Sequence, residues 1–104
     1  MVNRGEVWWL ELPDLSPHPV LVLTRPAAIP VRSKVTVAPL TTRVRDIPIE
    51  VPLTVAEDGV TKDCVVNLDN VETVPRTLLT EQMTTLSDTR MREVCAALAI
   101  ATAC

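Results

Sequence analysis

The sequence predicts a mainly β domain of the α+β class: a small, strongly curved antiparallel sheet or half-open barrel, with one C-terminal helix packed on it. Three observations carry this. Val and Thr are abundant and favour extended backbone. Short apolar runs are separated by nine Pro, which interrupt helices. Helical spacing becomes convincing only after Ser87. At 104 residues the chain reads as one domain over 1–104. Burial at that size is modest, so self-association is expected to support the fold. With no Phe or Tyr, and Trp8 and Trp9 as the only aromatics, Val, Leu, Ile and Ala must fill the core.

Residues 6–12 read as the first strand, closed by Pro13, and 13–19 as a Pro-rich loop. The continuous apolar run Val20–Thr24 marks a buried strand. A loop with Pro26 and Pro30 leads to a strand over Lys34–Leu40, where Val35 and Val37 alternate with Thr36 and Ala38. Residues 47–53 form a strand that Pro48 and Pro52 consign to an edge or a bulge. Asp58-Gly59 signals a turn, Cys64–Leu68 a short strand, and Asp69-Asn70 a bend. Residues 75–79 can open a short helix with Pro75 in its first turn. Ser87 and Asp88 cap the one long helix, whose buried face is expected to hold Met91, Val94, Cys95, Leu98 and Ala101.

Cys64, Cys95 and Cys104 are odd in number and share no ligand spacing, which suits free thiols in a reducing, cytoplasmic setting. One His and no paired Cys make a structural zinc improbable, and no cofactor motif is present. No apolar run reaches membrane-spanning length. The net charge of −3 argues against a nucleic-acid partner, but the distribution does not. Between Asp14 and Asp46 there is no acid, while Arg25, Arg32, Lys34, Arg43 and Arg45 supply half of the ten basic residues. A positive patch on an acidic body fits that layout, as does a solvated basic loop.

Chemistry is confined to that acid-free stretch. His18 carries the only side chain whose ordinary pKa lies near neutrality, in a loop just before a buried strand. RNA cleavage needs a base for the 2′-hydroxyl, an acid for the departing 5′-oxygen and positive charge on the phosphorane. His18 with neighbouring Arg and Thr groups can supply these; an idle surface His is the plainer alternative. Thr41 and Thr42, at a strand exit before Arg43, suit a phosphate, or simply satisfy local backbone groups. Trp8 and Trp9 point to opposite faces of one strand, so one fills the core and the other is left for a base, a dimer or a partner. Asp69 and Asn70 can read base edges or form a plain turn. Cys64 and Cys95 are expected to be inert core residues.

Taken in order, these segments resemble a family. Arg4-Gly5-Glu6-Val7-Trp8, Pro19-Val20-Leu21-Val22-Leu23-Thr24 and Val37-Ala38-Pro39-Leu40-Thr41-Thr42 are similar to the MazF/PemK toxins of bacterial toxin–antitoxin pairs, particularly the mycobacterial branch. The run from Asp63 to Val74 and the closing helix continue the likeness over essentially the whole chain. The resemblance implies a homodimeric, metal-independent endoribonuclease. Such enzymes cut single-stranded RNA at short sequences, leave a 2′,3′-cyclic phosphate or 3′-phosphate and a 5′-hydroxyl, and are blocked by a MazE-like antitoxin. The family's catalytic Thr falls on Thr41, beside Thr42. Its catalytic Arg falls on His18, a departure that turns a fixed charge into an acid/base group. Arg25, Arg43 and Arg45 then become RNA-backbone contacts. Two alternatives follow from the same likeness: a silent member that only binds antitoxin or RNA, and a CcdB-like gyrase poison. The ending Ala101-Thr102-Ala103-Cys104 lacks the Trp-Gly-Ile tail of the latter.

Overall fold

Seven strands and two helices follow one another in the computed structural model, which describes residues 1–104. They are β1 (Glu6–Leu10), β2 (His18–Val22), β3 (Lys34–Thr41), β4 (Glu50–Leu53), α1 (Val55–Asp58), β5 (Cys64–Asn67), β6 (Glu72–Pro75), β7 (Leu79–Thr85) and α2 (Asp88–Thr102). Every pairing is antiparallel, in the order β4-β5-β3-β2-β1-β7, with β6 also on β3. The sheet is not closed into a barrel. No helix is long and apolar enough to cross a membrane.

β3 organises the molecule. One edge pairs with β2 through Val37–Pro39. The other edge is shared: Lys34–Val37 pair with β6, and Leu40 and Thr41 pair with β5. Ala38 and Pro39 fall between the two partners, and Pro39 has no N–H to leave unsatisfied there.

Strand alternation builds a core on each face of the sheet. Val7, Leu21, Ala38 and Leu40 join Leu53, Val66, Val94 and Ala97 beneath α2. Leu10, Val20, Val22, Val35 and Val37 join Ile29, Val74 and Leu79 on the opposite face. Burying a Val or Leu side chain contributes about 1.5–3 kcal/mol, so both aliphatic layers are substantial without aromatics.

The expected strands are present, with shifted ends. His18 is the first residue of β2 rather than part of the preceding loop, because it pairs with Leu10 of β1. The strand over 47–53 shrinks to β4, at the sheet edge that its prolines require. Strands β6 and β7 were not expected: β6 exposes three of its four residues, and β7 is interrupted by register shifts against β1. The helix expected over 75–79 is only a 3₁₀ turn, Arg76–Leu78, between these strands.

At α2, the Ser87 hydroxyl accepts the Arg90 N–H at 3.1 Å. Met91, Ala97, Leu98 and Ala101 lie three, four or seven residues from buried Val94 and complete the packed face. Cys95, expected in that face, is exposed, because one residue along a helix is about 100° around it. Its sulfur instead accepts a hydrogen bond from Arg4 at 3.3 Å.

The Asp58-Gly59 signal proves to be the end of α1. Thr54 caps that helix by accepting the Glu57 N–H at 3.1 Å, and Gly59 ends it at φ 74°. Buried Asp58 accepts Arg90 Nε at 3.0 Å, while Glu57 and Glu93 take the remaining guanidinium edges at 3.3 and 2.9 Å. The Asp58 hydrogen bond raises the Arg90 pKa further despite burial, which lowers it; the Asp58 and Glu93 charges act with the bond.

Candidate active site

The end of β3 opens onto two cavities, and Thr41 lines both. One, of about 410 Å³, is walled by Trp9, Pro17, Pro19, Leu40, Val60 and Met83, with Thr42, Thr61, Lys62 and Cys64 completing it. The other, of about 310 Å³, is lined by Pro39, Arg43, Arg45, Asn67 and Asn70. The second follows from the partner change on β3: β5 ends at Asn67, and a 3₁₀ turn over Leu68–Asn70 leads away towards β6. Asn67 accepts the Asp69 N–H at 2.9 Å, which holds that turn.

Thr41 Oγ1 accepts the Arg43 N–H at 3.1 Å. One hydroxyl lone pair is thereby used, and the O–H proton stays available to a ligand oxygen. The following bend is clamped by Glu50, whose side chain is 2% exposed. Its carboxylate accepts Arg45 N–H and Nε at 2.9 and 3.1 Å, and Asp46 N–H at 3.1 Å. Burial pushes the Glu50 pKa up, but these bonds and the Arg45 charge outweigh it and hold the carboxyl below its ordinary value. Asp46 sits at φ 54°, an αL position that Asp tolerates better than most residues. Arg43 forms no ion pair and is exposed beside Thr41. Cys64, in the first cavity, is no nucleophile at neutral pH: burial, then Asp63 and Asp58, push its thiol up to about 11.

Thr41, Arg43, Arg45 and Asn70 share one cavity, and Thr41, Thr42 and Trp9 share the other. Asp69 is exposed and lines neither. Trp8 packs against the second core layer and donates to Glu6 at 2.9 Å. Neither Trp is fully buried, which corrects the expectation that one fills the core. Register shifts in the β1–β7 ladder, between Val7 and Trp8 and between Trp9 and Leu10, flank the pair. Arg25 lies away from Thr41, in a third cavity with Arg32 and Lys34.

His18 is half-buried and lines neither Thr41 cavity. The β2–β3 ladder pairs Val20 with Pro39. Two residues further along each strand stand His18 and Thr41, on the same face by alternation. Sequence reasoning missed Lys62, Asn67 and Met83. Asn67 ends an apolar run where a polar side chain is out of pattern, which was a usable signal; Lys62 and Met83 carried none.

The arrangement offers a hydroxyl donor, one free guanidinium and a second held rigid. Two amide side chains and an aromatic wall complete an open mouth suited to a phosphate with a flat base beside it. Residues 3–102 match the family of PemK-like, MazF-like toxins of type II toxin–antitoxin systems. The chain is 44% identical over 101 residues to a probable endoribonuclease, MazF5, of Mycobacterium tuberculosis, covering 97% of this chain and 93% of that protein. It superposes with a TM-score of 0.88 and 26% identity on a mycobacterial endoribonuclease solved with its cognate antitoxin, covering 99% and 96% of the two chains. On the Mycobacterium tuberculosis toxin MazF-mt6 the TM-score is 0.84 at 34% identity, over 94% and 96%. The chain therefore belongs to the MazF/PemK toxin family.

Proposed function

We propose that the chain is a sequence-specific endoribonuclease toxin that cuts single-stranded RNA without a metal, as a homodimer in the cytoplasm, and is neutralised by a MazE-like antitoxin. The observation that carries this is the Thr41 hydroxyl, fixed by Arg43 N–H between two cavities with an unpaired guanidinium beside it. Family membership supplies the reaction class, and three cysteines without a disulfide suit a reducing compartment.

In this reading His18 takes the proton of the 2′-hydroxyl, whose oxygen attacks the adjacent phosphorus. The bond to the 5′-oxygen breaks, and that oxygen leaves as a hydroxyl after receiving the proton back from His18. The product is a 2′,3′-cyclic phosphate. Thr41 donates to a non-bridging oxygen while Arg43 balances the charge that builds on the phosphorane. Asn67 and Asn70 offer amide groups to base edges, and Trp9 offers a stacking face. Arg25, Arg45, Thr42 and Asp69 remain outer contacts to RNA. Trp8 is left for a dimer or partner surface.

The test is incubation of purified protein with a long single-stranded RNA in EDTA, with cut ends mapped, alongside Thr41→Ala and His18→Ala. Defined cuts bearing 5′-hydroxyls are expected, with losses of about 10²–10⁴ in each variant, the range of a positioned acid–base or charge-stabilising group. Intact RNA with wild-type protein would reject the reading. A second reading has one observation in its favour: because His18 lines neither cavity, the chain binds RNA or antitoxin without cutting. RNA bound but uncut selects it. Normal cutting by His18→Ala removes the acid/base role and leaves the nuclease.

A further inference from the structure

The largest cavity of the molecule, about 560 Å³, lies at the opposite end of β3 from Thr41. Its lining is Thr24, Arg25, Val31, Arg32, Ser33, Lys34, Thr36 and Thr73. Three cations and four hydroxyls meet there with no carboxylate among them. Arg25, Arg32 and Lys34 form no ion pair anywhere in the chain. The nearest acid on β6, Glu72, alternates to the far face, while Thr73 faces the cavity opposite Thr36.

The floor is organised to donate. Thr24 Oγ1 accepts the Thr36 N–H at 2.7 Å, so its own proton is free. Thr36 and Thr73 hydroxyls lie 3.3 Å apart; one donates to the other, and the second keeps its proton. The rim is rigid as well. Ala28 and Ile29 are buried, and Arg76 donates to the Ile29 carbonyl at 3.0 Å and through its N–H to the Ser33 carbonyl at 3.0 Å. Arg25, Arg32 and Lys34 are exposed side chains lining one cavity; unpaired, they repel one another, and an anion relieves that repulsion.

We infer that this cavity is a second RNA-backbone site, in which Arg32, Lys34 and Arg25 hold phosphodiesters several nucleotides from the scissile bond. The inference rests on the endoribonuclease reading and extends it along β3. Lys34 and Thr41 are seven residues apart, or about 23 Å at roughly 3.3 Å per strand residue. A strand of RNA cut at Thr41 can therefore be gripped at both ends of one rigid element. An acidic peptide is the poorer fit: peptide docking relies on buried apolar anchors, and Val31 is the one apolar residue in the lining. Phosphodiesters need only charge and hydroxyl donors.

The experiment measures binding of a fully 2′-O-methylated single strand, which cannot be cut, across a salt series. Wild-type protein is compared with Arg32→Gln/Lys34→Gln and with Arg92→Gln, an exposed cation on α2. Each lost phosphate contact removes about 0.7 from the slope of log K against log salt, worth roughly fivefold at ~0.1 M. The double variant should therefore lose about 1.4 in slope and roughly 25-fold in affinity. Arg92→Gln should stay close to wild type. Equal losses in Arg92→Gln would mean a general charge effect and overturn the site. Unchanged affinity and slope in the double variant overturn it too, and leave the nuclease reading intact if wild-type protein still cuts ordinary RNA. With poly-glutamate titrated in parallel as an acidic-peptide probe, loss of its binding in the double variant with RNA binding kept assigns the cavity to carboxylates and rejects it for RNA. The predicted losses in a protein that cuts nothing would keep the backbone site and reject the nuclease.

Discussion

Arg90 and Arg43 put the same guanidinium to opposite uses. Arg90 is enclosed by Asp58, Glu57 and Glu93 and ties α1 to α2. Arg43 stands beside Thr41 with no acidic partner. Arg45 lies between these extremes, its Nε on Glu50 and nearly half of its side chain open to water. The contrast teaches where charge holds the fold and where it is left open to a ligand: Asp58, Glu57 and Glu93 close around Arg90, whereas of the basic residues between Asp14 and Asp46 only Arg45 is ion-paired, to Glu50.

If that division is right, the largest effect on stability comes from the helix side. Asp58→Ala leaves Arg90 partly buried without its main partner, a change that costs about 3 kcal/mol. At this chain length that lowers Tm by roughly 10–20 °C. A Tm within a few degrees of wild type would show that Arg90 is not a fold-holding charge.

Gly59→Ala strikes the same joint more gently. A Cβ there would lie 2.7 Å from Thr84 Oγ1, which donates to the Asp58 carbonyl at 2.8 Å, on a backbone at φ 74°. A loss of about 1–3 kcal/mol is expected from the strained conformation, read by urea unfolding.

Glu50 sharpens the middle of the comparison. Its folded pKa is below the ordinary value, so the stability it contributes is present above the unfolded pKa and is lost as pH falls through the folded one. Wild type should exceed Glu50→Gln in stability at pH 7, and the gap should close as pH falls below the ordinary carboxylate range and through the folded pKa. A gap that persists in acid would assign the clamp to shape rather than charge.

Arg43→Ala is the smallest change to the fold, within about 0.5 kcal/mol, because nothing in the protein depends on its charge. RNA cleavage should nevertheless fall clearly. Loss of stability without loss of cleavage would invert the comparison.

The same contrast explains what was legible in the sequence. β2 lies in a continuous aliphatic run, β3 alternates Val35 and Val37 with Thr36 and Ala38, and Ser87 before Asp88 is a direct capping signal, so those elements were readable. β6 and β7 were not, because Glu72-Thr73-Val74-Pro75 and Leu79–Thr85 expose most of their residues and follow no clean alternation. Four-residue α1 is too short to show a period. The basic face was visible as an acid-free stretch, yet Glu50, which claims Arg45, lies just beyond it. Trp9, Lys62 and Met83 line one of the Thr41 cavities and Asn67 the other, and only tertiary structure brings these segments to Thr41.

Along one edge of β3, hydrogen bonding passes from β6 to β5, and the handover skips Ala38 and Pro39. Next to that gap sits the Leu68–Asn70 turn, a wall of the Thr41 mouth that belongs to no ladder. Its outer residues can therefore change in length or identity without disturbing strand register. On the RNA-cleaving role proposed above, altering this turn is a route to a new RNA preference that leaves the hydroxyl and guanidinium beside it in place.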